Sequence, residues 1–288
     1  MRIGTRASAL ALVQARWVAE RVALPAGVSA EIVEIRTLGD RGEALSDKSR
    51  WVSALETALL DGSIDVAVHS AKDVPADLAD GTELAAVPMR EDPRDALIGF
   101  GALADVPVGA SVGTASLRRA AQLRALRADL NVVELRGNVD TRLRKLDEGQ
   151  VDALVLAAAG LIRLGIDDRI GCFLDELVPA AGQGALALQI LTGGAMVDNL
   201  GHAVSTAAVM AERAFTAALG ASCHTAVGVR GRVIDRVVEL TGWVGLPDGS
   251  EWISDQLVGA HGLVGGALAA RMIAVGARDL LERAEAMA

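Results

Sequence analysis

Cysteine is scarce in this sequence: Cys172 and Cys223 are the two thiols in 288 residues. Two thiols do not make the disulfide framework of a small secreted domain. They also fall short of a four-ligand structural zinc site, and the four histidines show none of the spacings typical of metal ligands. We therefore expect neither disulfides nor a metal.

Long hydrophobic runs are missing as well. The composition is 51% hydrophobic with a mean hydropathy of +0.35, so the chain can bury large cores. No stretch of about 18 residues is both apolar and uncharged, which argues against a membrane-spanning helix. The first residues, M-R-I-G-T-R-A-S, lack the basic region and apolar run of a secretory signal. These absences lead us to expect a cytoplasmic protein that does not bind membranes.

Positive charge is in deficit, and the net charge is −9. This balance disfavours non-specific binding to nucleic acid. Lysine is nearly absent: apart from Lys48, Lys72 and Lys145, every basic residue is arginine. Compositional bias would account for that ratio equally well, because the chain is also rich in Ala, Gly and Val. Bias does not explain why the arginines cluster.

Short strands and helices alternate in the first part of the chain. Ser8 is an N-cap candidate for the first helix, and Asp61-Gly62 is typical of the end of the second. The pattern predicts a strand over 2–5, a helix over 9–23, a strand over 32–35, a helix over 51–60 and a strand over 64–68. This βαβαβ order favours a largely parallel sheet.

The same order then recurs. Ser116 is a second N-cap candidate, for a helix that runs to about residue 127. Around it the pattern predicts a strand ending at 113, a strand over 132–135, a helix over 139–147, a strand over 153–156 and a helix around 161. Two similar α/β modules indicate two lobes with a cleft, and ligands of such sheets lie at the carboxyl ends of the strands.

A further strand is predicted over 185–190, after the loop P-A-A-G-Q-G, and we expect it to return to the first lobe. The pattern then changes to a helix over 206–219, strands within 227–244, a turn at 247–249, one more strand, a glycine-rich turn over 262–266 and a final helix over 267–286. The predicted domains are a first α/β lobe of residues 1–88 plus 185–203, a second α/β lobe of residues 89–184 and a small α+β domain of residues 204–288.

Arginines cluster in the second module. Between residues 111 and 144 they are Arg118, Arg119, Arg124, Arg127, Arg136, Arg142 and Arg144. Arg118 and Arg119 fall in the first turn of a predicted helix, where the helix dipole disfavours cations. That placement makes sense if an anion lies against the free N–H groups. Because Arg136 follows a strand and Arg142 opens the next helix, we expect these arginines to converge.

Several converging arginines suit a ligand with more than one carboxylate, because the guanidinium group makes planar, two-point contacts with carboxylates. Phosphate is the rival ligand. The sequence has no G-x-x-x-x-G-K-[ST] motif, and V-G-T-A-S-L-R-R lacks the G-x-G-x-x-G spacing. Arg124 and Arg127, farther along the helix, are expected to be surface charges.

The predicted strand over 64–68 runs into a polar segment, A-V-H-S-A-K-D-V-P. A structural turn needs fewer polar groups than His69, Ser70, Lys72 and Asp73 supply. We expect His69 to pack and to form hydrogen bonds. Asp73 either caps N–H groups of a turn or stabilises a developing cation through a hydrogen bond to an amine or N–H group.

The cysteines differ in their surroundings. Cys172, next to Phe173 and Leu174, is expected to be a packing residue. Cys223 lies in L-G-A-S-C-H-T, a loop of small residues after a helix. It is either an accessible thiol that serves as nucleophile or attachment point, or a plain loop cysteine.

Sequence motifs in a fixed order cover nearly the whole chain. They are I-G-T-R-A-S near the start, T-L-G-D at 37–40, A-V-H-S-A-K-D-V-P, R-E-D-P-R-D-A at 90–96, V-G-T-A-S-L-R-R, L-R-G-N-V-D-T-R-L at 135–143, L-A-A-A-G-L-I-R-L-G at 156–165, P-A-A-G-Q-G-A, A-E-R-A-F and the Cys223 loop. In this order and spacing, the chain resembles the porphobilinogen deaminase family, also called hydroxymethylbilane synthases.

The resemblance implies a transferase of tetrapyrrole (heme and porphyrin) biosynthesis. It would join four porphobilinogen molecules head to tail, losing ammonia each time, and release the linear product by hydrolysis. The chain would grow from a dipyrromethane cofactor bound to Cys223 through a thioether. Asp73 matches the family's catalytic aspartate, which would hold pyrrole N–H groups and stabilise the cationic azafulvene. The implied fold class is α/β, with two periplasmic-binding-protein-like lobes, a cleft and a small α+β domain that carries the cysteine.

The resemblance also implies a set of binding residues, because each pyrrole carries an acetate and a propionate. The matching carboxylate-binding arginines are Arg6, Arg118, Arg119, Arg136, Arg142 and Arg163. The matching polar contacts to cofactor or growing chain are Ser8, Lys72, Thr114 and Ser116, and Lys48 stands for a lysine of the loop before the second helix. We expect porphobilinogen as the small-molecule partner and a monomeric protein.

Two other functions were compared with this one. A non-catalytic two-lobed protein that binds polycarboxylates fits the arginines and the cleft, but the missing export signal and Cys223 argue against it. A cysteine hydrolase would pair Cys223 with His224. Adjacent residues rarely form that pair with good geometry, and no third orienting group is evident.

Overall fold

The computed structural model describes residues 1–26, 29–35, 49–195, 197–221 and 225–287. The helices are α1 (Ala9–Ala26), α2 (Ser49–Leu60), α3 (Leu117–Leu126), α4 (Val139–Asp147), α5 (Ala158–Leu164), α6 (Ala203–Leu219), α7 (His261–Ala274) and α8 (Ala277–Ala286). The strands are β1 (Arg2–Arg6), β2 (Glu31–Ile35), β3 (Val66–Ser70), β4 (Thr82–Ala86), β5 (Asp95–Ile98), β6 (Ser111–Thr114), β7 (Asn131–Glu134), β8 (Ala153–Ala157), β9 (Cys172–Leu174), β10 (Leu186–Leu191), β11 (Ala226–Ile234), β12 (Val237–Gly245) and β13 (Trp252–Gly259). Within these described ranges, every helix is too short or too polar to cross a membrane.

The first sheet has the strand order β2-β1-β3-β10-β4. Strands β1, β2 and β3 run parallel, as the βαβαβ pattern predicts. Strand β10 returns to this sheet and lies antiparallel between β3 and β4. Ile3, Val66 and Leu188 are fully or almost fully buried between this sheet and α1. The carboxyl end of β3 therefore lies in the middle of the first lobe.

The second sheet has the order β7-β6-β8-β5-β9. Strands β6, β7 and β8 are parallel, while β5 is antiparallel to both β8 and β9. Leu97, Leu123 and Val155 lie in its core, and Cys172 packs against that core as predicted. Strands β4, β5 and β9 were not predicted from the sequence, because they are short and lie outside the βαβαβ pattern.

Two connections between the lobes run side by side. One precedes β5 and the other precedes β10. They are joined where the Glu91 N–H donates to the Gly184 carbonyl at 3.0 Å. Gly184 has a φ of +85°, and a Cβ there would lie 2.4 Å from the Glu91 carbonyl oxygen, so only glycine fits this approach.

The small C-terminal domain consists of the antiparallel sheet β11-β12-β13 and helices α6, α7 and α8. Phe215, Leu240, Leu268 and Met272 form part of its core. The fold class is therefore as expected: two α/β lobes and a small α+β domain.

The structure corrects the prediction for the C-terminal helix. Residues 262–266 are not a turn but part of α7, and the predicted helix over 267–286 is two helices, α7 and α8. Gly265 allows α7 to approach α6 closely, because a Cβ there would lie 2.4 Å from the Ala211 carbonyl oxygen. Gly276, with a φ of +105°, separates the two helices.

The structure also corrects the surface-charge prediction for Arg124 and Arg127. Arg124 donates to the carbonyls of Val132 at 3.0 Å and Pro247 at 2.7 Å, so it ties the second lobe to the small domain. Arg127 donates to the Leu103 carbonyl at 2.7 Å. Both side chains are half-buried and satisfy backbone carbonyls.

Candidate functional site

Asp73 lies in a tight turn at the carboxyl end of β3. The strand continues to Ser70, two residues beyond its predicted end, and a single 3-10 turn over Ala71–Asp73 follows. The Val74 N–H closes the turn by donating to the Ala71 carbonyl at 3.2 Å. Within the described part of the chain, the half-buried Asp73 carboxylate has no hydrogen bond and no ion pair. An acceptor is thus presented without a protein donor at the end of a buried strand.

His69 belongs to the core of the first lobe. Its Nε2 lies 3.0 Å from Gln189 Oε1 on β10, and the Gln189 amide donates to Glu56 Oε1 at 2.9 Å and to Thr82 Oγ1 at 2.8 Å. Burial lowers the pKa of His69 to about 4, so the ring is neutral at physiological pH. The geometry gives His69 the packing and hydrogen-bonding place expected from the sequence.

Arg118 and Arg119, in the first turn of α3, surround the buried carboxylate of Asp95. Arg118 Nη1 donates to Asp95 Oδ2 at 2.7 Å, and Arg119 Nε donates to Asp95 Oδ1 at 2.8 Å. Burial raises the pKa of Asp95, but the two guanidinium groups outweigh burial and hold that pKa well below its usual range. An anion does lie beside these arginines, and the chain itself supplies it.

Gln183 connects this cluster to the second inter-lobe connection. Its amide donates to Asp95 Oδ1 and to the Pro93 carbonyl, both at 2.8 Å, and its Oε1 accepts from Arg119 Nη2 at 3.2 Å. Asp95, Arg119 and Gln183 are each at most 5% exposed. The buried network therefore holds two arginines of α3 against the junction between the lobes.

Arg118 and Arg142 each retain an unused donor in the described structure. Arg118 Nε and Arg142 Nε are buried and have no hydrogen-bond partner among the described atoms. Burial and, to a smaller extent, the charge of Arg119 together lower the pKa of Arg142 to about 10, and the second cause places these two residues near each other. Buried, unused N–H groups on positive side chains fit an incoming carboxylate.

Arg136 and Arg163 have different surroundings. Arg136 is exposed and pairs through Nε with Glu134 Oε1 at 2.6 Å. Arg163, on α5, is half-buried and donates to the Gly184 carbonyl at 2.7 Å. Burial lowers the pKa of Arg163 to about 10. Arg163 thus faces the inter-lobe junction. In the described structure, Arg136 has no contact with the Asp95 cluster, which consists of Asp95, Arg118, Arg119 and Gln183.

The predicted hydroxyl contacts lie at helix starts. Ser8 Oγ accepts from the Ala11 N–H at 3.3 Å and caps α1, while Ser116 Oγ accepts from the Arg119 N–H at 3.4 Å and caps α3. Thr114 is buried, and its Oγ1 accepts from the Ser116 N–H at 3.3 Å. Both capping predictions are confirmed. Each hydroxyl accepts through oxygen and keeps its hydrogen to donate.

The remaining predicted site residues lie at the edges of this arrangement or outside it. Arg6 is the last residue of β1, and Lys72 directly precedes Asp73 in the 3-10 turn. Helix α6 ends at Leu219 and is capped by Gly220, with a φ of +69°, two residues before the segment that holds Cys223. Cys223, His224, Lys48 and the T-L-G-D motif at 37–40 lie outside the described residues.

Sequence reasoning missed three residues of the site: Asp95, Gln183 and Glu212. Asp95 and Gln183 stand in R-E-D-P-R-D-A and P-A-A-G-Q-G-A, which were recognised as motifs without a role for either residue. Glu212 of A-E-R-A-F has a fully buried side chain and accepts from the Gly182 N–H at 2.7 Å. For Gln183 and Glu212 the available signal was a polar residue among small ones, whereas Asp95 stood among other charged residues and had no such signal.

Comparisons with known proteins agree with one another. Residues 1–199 match the family described as "Porphobilinogen deaminase, dipyromethane cofactor binding domain", and residues 206–273 match "Porphobilinogen deaminase, C-terminal domain". A porphobilinogen deaminase of Thiobacillus denitrificans is 44% identical over 98% of this chain and 98% of its own length. The porphobilinogen deaminase of Thermus thermophilus is 46% identical over 89% of both chains.

One more relative and one solved structure extend the comparison. A porphobilinogen deaminase of Deinococcus radiodurans is 44% identical over 97% of both chains. A solved periplasmic substrate-binding protein of an ABC transporter from Coxiella burnetii aligns with a TM-score of 0.43 and 17% identity, covering 67% of this chain and 85% of that chain. The sequence relatives thus span both lobes and the small domain.

Proposed function

Because this chain belongs to the porphobilinogen deaminase family, we propose that Asp73 is its catalytic carboxylate and that Cys223 carries its dipyrromethane cofactor. The chain is an enzyme of tetrapyrrole biosynthesis that joins four porphobilinogen molecules head to tail with loss of ammonia. A non-catalytic binding protein for polycarboxylates is not favoured.

A single observation carries the assignment of Asp73: a half-buried carboxylate without a protein partner in the described structure stands at the carboxyl end of β3. A carboxylate in that position can accept hydrogen bonds from pyrrole N–H groups. It can also stabilise the positive charge that develops as ammonia leaves porphobilinogen. His69 and Gln189, in the core of the same lobe, are hydrogen-bonded to each other. The Asp73 carboxylate therefore stays available to accept hydrogen bonds from the ligand.

Arginines near the inter-lobe junction bind the acid side chains of the substrate. Arg118 and Arg142 retain buried Nε donors, and Arg119, which is held by Asp95, lies near enough to Arg142 to lower its pKa. Each pyrrole unit brings two carboxylates, which match guanidinium donors in charge and geometry. Asp95 offsets only one of these positive charges, so the cluster keeps a net positive charge for an incoming carboxylate.

The remaining binding residues are assigned by the resemblance, with support from their positions. Arg6 and Ser8 stand at the junction of β1 with α1, Thr114 and Ser116 at the start of α3, and Arg163 beside the inter-lobe connection. Lys72 adjoins Asp73. For Arg136, exposed beside Glu134, we propose that binding of the growing chain replaces this exposed ion pair.

The cofactor fits the residues present, since the buried Nε atoms of Arg118 and Arg142 are unsatisfied donors that acid side chains would satisfy. When bound, dipyrromethane supplies the primer from which the product grows. The thiol that holds it is proposed to be Cys223, which follows α6 by four residues. Lys48 is proposed to contact the ligand from the loop before α2.

The domain limits, oligomeric state and location are also proposals. A first lobe of 1–88 plus 185–203 is supported by the place of β10 in the first sheet, and limits of 89–184 and 204–288 by the second and third sheets. We propose a cytoplasmic location, in line with a biosynthetic enzyme family. We propose that it is a monomer.

The test of Asp73 compares Asp73→Asn with Asp80→Asn, an exposed aspartate seven residues later. Asp73→Asn is expected to fold normally and to lose at least about 100-fold in turnover of porphobilinogen, in line with the loss of a positioned catalytic group. Asp80→Asn should keep normal turnover. Full turnover by Asp73→Asn would refute the assignment.

A further inference from the structure

Helix α6 of the small domain reaches across to the turn that carries Asp73. Arg213, in the middle of this helix, donates through Nη1 to the Val74 carbonyl at 3.0 Å. Through Nη2 it donates to the Pro75 carbonyl at 2.6 Å and to the Ala76 carbonyl at 3.1 Å. One guanidinium group therefore binds three consecutive carbonyls that follow Asp73 directly.

The guanidinium group of Arg213 makes these contacts from a partly enclosed position. The side chain is half-buried, and its described hydrogen bonds go to backbone carbonyls rather than to a carboxylate. Hydrogen bonds from a charged donor are stronger than those from a neutral one, and the planar fork fixes the direction of each. A segment held in this way has little freedom to shift relative to α6.

The preceding residue, Glu212, acts on the same turn from its other side, through Gly182. Glu212 Oε2 accepts from the Gly182 N–H at 2.7 Å. Gly182, with a φ of +68°, packs so closely on the turn that a Cβ there would lie 3.0 Å from the carbonyl carbon of Ala71. Adjacent residues of α6 thus act on the turn from two sides, Arg213 by direct hydrogen bonds and Glu212 through Gly182.

The same helix leads to the cysteine. Arg213 stands six residues before Leu219, the end of α6, which is about 9 Å along the helix axis. Cys223 follows four residues later. Helix α6 therefore binds the Asp73 turn near its middle and ends four residues before Cys223 in the sequence.

We propose that Arg213 is a positioning residue for the reaction, one that acts through Asp73 by fixing the turn over residues 71–76. The inference rests on the proposed catalytic role of Asp73. A shift of the carboxylate by about 1 Å is enough to cost about 100-fold in rate. Binding of the substrate's acid groups, by arginines on other elements, should change little.

The test is a double-mutant cycle of Arg213→Ala and Asp73→Asn. For each variant, steady-state turnover and the mass of covalent pyrrole adducts are measured. Arg213→Ala is expected to lower kcat by about 10- to 100-fold with KM changed by less than about threefold. In the Asp73→Asn background, Arg213→Ala should cost nearly nothing further, because its effect passes through the missing carboxylate. Arg213→Lys, which keeps charged donors, should recover part of kcat.

The control is Arg271→Ala, which removes an arginine of the same domain that pairs with Asp255 on the surface. It should leave kcat and KM unchanged. Running the cycle with Arg213→Lys as well keeps the test independent of how Arg213→Ala folds. Unchanged kcat in Arg213→Ala and Arg213→Lys, or losses that add fully to that of Asp73→Asn, would overturn the positioning role. Full turnover by Asp73→Asn would instead overturn the proposed function.

Discussion

Arg90 and Glu212 form a buried two-point ion pair, with Nη1 to Oε1 at 2.7 Å and Nη2 to Oε2 at 3.1 Å. Arg90 lies in the first inter-lobe connection, and Glu212 lies on α6 of the small domain. The Glu212 carboxylate also accepts from the N–H groups of Gly182 and Gly231 at 2.7 and 2.6 Å. Both inter-lobe connections and the small domain therefore meet at one carboxylate.

Breaking this pair should destabilise the protein strongly. Arg90→Ala leaves a fully buried carboxylate without its counter-ion, so we expect the free energy of unfolding to fall by about 3–5 kcal/mol. Urea denaturation measures it. Arg271→Ala, which breaks the more exposed pair with Asp255, should cost no more than about 1 kcal/mol. Equal losses in the two variants would contradict the role given to the buried pair.

Asp95 should be required both for stability and for ligand binding. Asp95→Asn removes the charge that compensates Arg118 and Arg119, which are both about 95% buried. We expect the free energy of unfolding to fall by about 3–5 kcal/mol and KM for porphobilinogen to change, because the guanidinium groups lose their orientation. Denaturation and steady-state kinetics measure the two effects. The control, Asp129→Asn in the less buried pair with Arg127, should preserve KM.

An unchanged KM and unchanged stability in Asp95→Asn would show that the two arginines are held by something other than this carboxylate. The two measurements therefore test the hydrogen bonds around Asp95 separately from the other contacts of the inter-lobe junction.

The elements of the two lobes were largely predictable from local pattern. Ser8 and Ser116 preceded apolar residues at helical spacing, and both cap helices. The glycines at 262–266 misled the prediction because glycine favours turns in local terms. In the folded chain, close packing of α7 on α6 at Gly265 outweighs that preference, and no local signal shows it.

The candidate site was predictable as a set of residue types and not as a set of contacts. Arg118 and Arg119 were recognised from their unfavourable dipole position. The carboxylate that pairs with them, Asp95, comes from a strand that was not predicted. The hydrogen bonds from Arg213 to residues 74–76 join positions about 140 apart in sequence. Such tertiary contacts depend on the assembled domains.

His69 should make stability depend on pH. Its pKa is lowered from 6.5 to about 4 by burial, although Gln189, Glu56 and Asp73 act to raise it. Between these values the unfolded chain binds more protons than the folded one, so the free energy of unfolding falls as pH falls through that window. Between pH 7 and pH 5, His69 accounts for a loss of about 2 kcal/mol in the free energy of unfolding.

Urea denaturation of the wild type and of His69→Gln at both pH values measures this share. Glutamine can still bond to Gln189 but does not titrate, so His69→Gln should lose less stability between pH 7 and pH 5. Equal losses would show that His69 is not the group responsible.

Gly182→Ala should reduce turnover as well as stability. Its φ of +68° strains any side chain, and the added Cβ would press on Ala71 in the turn that carries Asp73. Gly193, with a φ of +70° and open space around it, is a matched control. Both variants should lose about 1 kcal/mol or more from strain, but only Gly182→Ala should lose kcat. Normal kcat in Gly182→Ala would show that the turn tolerates displacement.

The most direct test of the central claim is the intact mass of the purified protein before and after incubation with porphobilinogen. The account predicts that the wild type carries two pyrrole units, which disappear in Cys223→Ser, and that substrate adds further single units in steps. A wild-type protein that turns over porphobilinogen while its mass remains that of the bare 288-residue chain would contradict the account.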